Sequence, residues 1–125
     1  MQDFKQLKEL SDLPKTWIFD LDGTILHHNS NNLIYEDTLI PGFKEFCRKK
    51  ISKQDYILLV TARKKGRLKT ILFLWKNNIR YNKIVFGLPF GERILFNDIK
   101  PTTGLKTAYA INVERNLGFI GFILD

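Results

Sequence analysis

Two aspartates separated by one residue, Asp20 and Asp22, close the apolar run Trp17-Ile18-Phe19 and are followed by Gly23-Thr24. Carboxylates that close together repel unless a cation or a proton stands between them. A hard cation such as Mg²⁺ takes oxygen ligands and keeps phosphate oxygens in its shell. A carboxylate beside that cation can attack phosphorus and form an aspartyl-phosphate. The neighbouring acid can protonate the leaving oxygen and later activate water. Gly23 permits a tight turn whose N–H can approach a phosphoryl group. An isolated Asp-x-Asp is more often a solvated acidic turn, but the strand-like run before it and the Gly-Thr after it favour a site.

Two other apolar runs end in useful side chains. Residues 55–60 read as a second strand and stop at Thr61. Residues 93–96 read as a fourth and stop at Asn97-Asp98. Residues 16–21, 83–86 and 107–113 supply the first, third and fifth strands. Between them, residues 41–50 place Phe43, Phe46 and Cys47 on one helical face, and Leu68, Ile71, Leu72 and Trp75 share another. Residues 1–13 suit a short amphipathic helix, residues 24–26 an extended continuation of the first strand, and the Asn-rich stretch 27–37 a loop. Short strands alternating with helices predict a single α/β domain over 1–125, with a Rossmann-like parallel sheet of about five strands flanked by helices. In such sheets ligands bind beyond the carboxyl ends of the strands, where Asp20, Asp22, Thr61 and Asp98 all fall.

The segment Phe19-Asp20-Leu21-Asp22-Gly23-Thr24 resembles the first motif of haloacid dehalogenase-type phosphatases. Leu59-Val60-Thr61-Ala62-Arg63 resembles the second, and Ile94-Leu95-Phe96-Asn97-Asp98 the fourth. The resemblance spans roughly residues 16–113 and points to a small member with no large cap domain. It implies Asp20 as nucleophile and Asp22 as general acid and base. It implies Thr61 as a phosphoryl-binding hydroxyl, and Mg²⁺ held by Asp20, the Asp22 carbonyl and Asp98. Thr61 can equally cap a helix, and Asn97 bonds readily in a turn. Relatives carry a lysine after the third strand, often in Phe-Gly-Lys-Pro. Here the residues are Phe86-Gly87-Leu88-Pro89, so Leu88 stands where that cation would be. Lys100, Lys64 and Arg93 are the substitutes, Lys100 first because it follows Asp98 by two residues. Arg93 opens its strand, at the wrong end of the sheet unless its loop folds back.

The formal charge of +7 favours anionic partners. A phosphomonoester hydrolase acting on a small phosphorylated metabolite, such as a sugar phosphate, is the leading expectation. The alternatives are a catalytically poor or inactive domain that binds a phosphorylated ligand or a partner protein, and a nucleic-acid-end phosphatase. Nucleic acid fits the charge but is not favoured. The single cysteine, Cys47, rules out an internal disulfide and suits a reducing compartment. No membrane span and no secretory leader is read, so a cytoplasmic protein is expected. The apolar tail 119–124 must be buried on the domain or on a second subunit, and self-association is expected. His27 and His28, adjacent and without acids at ligand spacing, read as loop residues rather than metal ligands. The lysines and arginines of 64–69 read as a solvated face or as an attractor of polyanions.

Overall fold

The computed structural model describes residues 7–28 and 37–123. The expected N-terminal helix therefore falls partly, and the loop over 27–37 and Leu124 of the tail mostly or wholly, outside the described residues. Among the described residues the protein is a small α/β chain with a parallel three-stranded sheet and three helices, compatible with a Rossmann-like arrangement. In chain order the elements are β1 (Thr16–Asp20), α1 (Phe43–Lys50), β2 (Tyr56–Val60), α2 (Arg67–Lys76), β3 (Lys83–Val85) and α3 (Ile120–Ile123). The sheet order is β1-β2-β3. Asp20 pairs in register with Val60, and Val60 with Val85, so the three strands deliver their C-terminal residues to one edge.

The core explains the segment boundaries. Phe19, Leu21, Ile25, Leu26, Phe43, Phe46, Ile57, Leu59 and Leu74 form one buried cluster. Phe43 and Phe46 are spaced to share a face of α1, and they meet Phe119 at ring-centroid distances of 5.2 and 5.0 Å. Phe19 meets Phe43 edge-on at 5.1 Å. Each such side chain stabilises the fold by about 1.5–3 kcal/mol on burial. The tail thus finds its cover on its own domain: Phe119 and Ile123 are buried, and α3 packs on α1. Gly118 and Gly42 make that crossing feasible. Both have positive φ, and a Cβ on Gly118 would collide with the Pro41 carbonyl oxygen.

Two expectations are corrected, and the inner face of α2 is now defined. Residues 93–96 and 107–113 form no strands, so the sheet has three strands rather than about five. An apolar run becomes a strand only with a ladder partner, and these two segments stand off the outer edge of β1, lining with it a cavity of about 770 Å³. Ile94 and Phe96 are left largely exposed. Their local bonding turns inward instead: Ile99 and Lys106 form an antiparallel bridge, and Thr107 Oγ1 donates to the Asp98 carbonyl at 2.8 Å. Residues 24–26 do not extend β1 but coil into one helical turn, in which the Leu21 carbonyl accepts from Thr24, Ile25 and Leu26. On α2 the buried residues are Thr70 and Leu74, so Leu68, Leu72 and Trp75 lie on the solvent side.

Candidate functional site

The C-terminal edge of the sheet gathers Asp20, Asp22, Thr61 and Arg63. Asp20 is the last residue of β1, and its side chain is about one-third exposed. Arg93 Nη1 donates to Asp20 Oδ1 at 3.0 Å. The loop that carries Arg93 therefore does fold back across the strand end. Lys100 lies instead 3.9 Å from the Asp98 carboxylate, with both side chains at least half exposed. Lys64 is exposed.

Arg63 organises the neighbouring group. All three of its guanidinium nitrogens are engaged. Nε and Nη2 donate to the Asp22 carboxylate at 3.0 and 2.7 Å. Nη1 and Nη2 donate to the two oxygens of Asp37, at 3.0 and 2.7 Å, and Nη1 also donates to Thr70 Oγ1 at 2.9 Å. The Asp37 side chain is only 8% exposed and that of Arg63 15%. Burial opposes the charge on Arg63, but its hydrogen bonds to Asp37 and Asp22 hold its acidity well below the ordinary arginine level, so it stays a cation. A planar fork with fixed donors suits two carboxylates at once, as a lysine could not. Arg63 thereby joins the turn after β1, Asp37 and α2.

Thr61 is fully buried, and its Oγ1 accepts the Arg63 backbone N–H at 3.0 Å. In this conformation the hydroxyl shapes the turn after β2. The Gly23 N–H donates to the Leu26 carbonyl at 2.6 Å and closes the turn that follows Asp22. Gly23 has φ +86°, and a side chain there would press on Arg115. Leu88 donates its N–H to the Thr61 carbonyl at 3.0 Å, so Leu88 lies beside the Thr61 backbone. His27 Nδ1 bonds Thr38 Oγ1 at 2.8 Å, a loop-stem contact. Burial pushes the Cys47 thiol up to about 11, against the opposing charge of Arg80, so it is protonated and unreactive at neutral pH.

The expected metal ligands are Asp20, the Asp22 carbonyl and Asp98. Asp20 is committed to Arg93, and the Asp98 side chain, three-quarters exposed, faces Lys100. Among the described residues no group of three or more His, Cys, Asp or Glu is disposed to hold a metal ion.

Sequence reasoning reached Asp20, Asp22 and Thr61, and missed the part of Asp37, Thr70 and Arg63 in one buried network. The available signals were an arginine three residues past a strand end and a threonine on the inner face of an apolar helix. No helix among the described residues is long and apolar enough to cross a membrane. The chain matches no protein-family model, and no curated protein and no solved structure matches it.

Proposed function

We propose that this chain is a phosphomonoesterase domain of the haloacid dehalogenase kind, acting through Asp20 on a small phosphorylated metabolite such as a sugar phosphate. What carries this reading is the convergence of Asp20, Asp22 and Thr61 at the ends of two adjacent parallel strands, with an arginine on each carboxylate. In the proposed reaction an Asp20 carboxylate oxygen attacks phosphorus, and the bond from phosphorus to the leaving oxygen breaks. Asp22, once protonated and released from Arg63, gives that oxygen its proton. Water then attacks the aspartyl-phosphate, Asp22 takes the proton back, and inorganic phosphate leaves. Arg93 supplies the positive charge that Leu88 cannot, and it is better placed for this than Lys100. Mg²⁺, implied by the sequence resemblance, would add positive charge beside the phosphoryl group.

A second reading is a domain that binds a phosphorylated ligand without turning it over. It is favoured by Leu88 and by the engagement of both aspartates with arginines. One assay separates the two: hydrolysis of sugar phosphates, nucleotides and phosphorylated oligonucleotide ends, with and without Mg²⁺. Turnover by the wild type that Asp20→Asn abolishes supports the hydrolase. An inert wild type that gains activity in Leu88→Lys supports the binding domain.

A further inference from the structure

Leu68, Leu72 and Trp75 on α2 are 69%, 45% and 72% exposed, while the opposite side of the same helix is buried through Thr70 and Leu74. A helix that serves only to cover a sheet shows polar residues to solvent. Here the residues at positions 68, 72 and 75 follow the alternating four-and-three spacing of a two-helix seam. Lys69 and Lys76 flank that seam on one side. From Thr61 to Gly91 the sequence holds eight lysines and arginines and no acidic residue. An apolar stripe bordered by one sign of charge, within a stretch of that same sign, has the form of a recognition face.

We propose that α2 docks an acidic amphipathic helix of a partner protein, whose apolar residues cover Leu68, Leu72 and Trp75 and whose carboxylates meet Lys69 and Lys76. A second copy of this chain fits poorly. An antiparallel pair of α2 helices would set Lys69 of one against Lys76 of the other, and α2 has no acid to offer either lysine. Nucleic acid suits the charge and could stack on the indole, but it has little use for two exposed leucines. An anionic membrane would meet a stripe of only three residues on a helix of 10. A helix seam uses all three apolar side chains and both lysines.

The probe is a synthetic peptide helix with leucines at seam spacing and glutamates beside them. The control is a permuted peptide of identical composition that has no seam. Titration of the full chain is followed by calorimetry and by indole fluorescence. Saturable binding of the seam peptide is expected, with the permuted peptide at least about tenfold weaker, since charge alone steers but does not anchor. Trp75→Ala should weaken binding by about 30-fold, the size of an aromatic anchor. Lys69→Glu combined with Lys76→Glu should lose the acidic peptide and accept one with lysines in place of the glutamates. These residues are exposed, so near-wild-type melting of each variant guards against misfolding. Equal binding of the two peptides overturns the proposal. So does a Trp75-dependent affinity for phosphatidylserine vesicles or an oligonucleotide in the absence of peptide binding. A dimer in sedimentation that Trp75→Ala dissolves also overturns it.

Discussion

The two ends of the same sheet treat their carboxylates differently. At the N-terminal end Asp55 is buried, and it accepts from the Lys15 N–H, the Trp17 indole and the Ser52 N–H, each at 2.9 Å. Its donors are two backbone N–H groups and an indole, all neutral. Burial would raise its pKa, but these hydrogen bonds, with the charge of Lys15, outweigh it and hold it below the usual aspartate value. At the C-terminal end Asp20 and Asp22 are met by guanidinium groups, and Asp20 keeps about a third of its side chain open. The first arrangement is a structural bolt with little left to offer a ligand. The second holds two arginines that a phosphoryl group could compete for. A buried acid surrounded by neutral donors and a half-open acid beside arginines are therefore separable by mutation.

The largest difference is expected at Asp20. Asp20→Asn keeps the shape and removes the nucleophile, so turnover should fall by about 10⁴-fold or more while circular dichroism and the melting midpoint stay near wild type. Next comes Arg63→Met, which leaves Asp22 and Asp37 without their shared cation. Urea titration should show a loss of about 3 kcal/mol, as when one partner of a buried pair is removed. Turnover should fall with it, because Asp22 loses its orientation. Gly118→Ala should cost about 2 kcal/mol through its positive φ and its contact with Pro41, with no change in any phosphate-dependent property of the surviving folded protein.

The smallest effect is the pH dependence of the bolt. Asp55 has a depressed folded-state pKa, so its contribution is fully present above the unfolded value of about 3.9 and is lost as pH falls through the folded value. Stability followed from pH 6 downward should therefore hold steady and then decline below about pH 4. In Asp55→Asn that part of the acid-side decline should disappear, from a lower starting stability. An unchanged acid limb in that variant would assign the decline to other carboxylates.

Much of the packed half was legible in the sequence because its signals are local and strong. The run ending at Asp20, the Pro41-Gly42 start before α1, and the Phe43 and Phe46 spacing each specify an element and its inner face. The loop after β3 was not legible. Ile94-Leu95-Phe96 has the composition of a strand, but composition cannot say whether an edge lies within hydrogen-bonding distance, and β1 stands across a cavity from it. Which face of α2 the sheet takes was not legible either. Leu68, Leu72 and Trp75 form the more apolar stripe, yet the sheet takes Leu74 and Thr70, the latter because Arg63 needs its hydroxyl. At the site the aspartates announced themselves by spacing. The arginines did not, because Arg93 reaches Asp20 from 73 residues away.

The most direct test of the central claim is to look for the covalent intermediate. The protein is mixed with a labelled phosphomonoester from the active class, with Mg²⁺ in the buffer, and quenched in acid within one turnover. The label is then located by peptide mass spectrometry. An acid-stable acyl phosphate on Asp20, absent from the Asp20→Asn protein, is the expected result. Wild-type turnover with no label on Asp20, or turnover that survives in Asp20→Asn, would contradict the account.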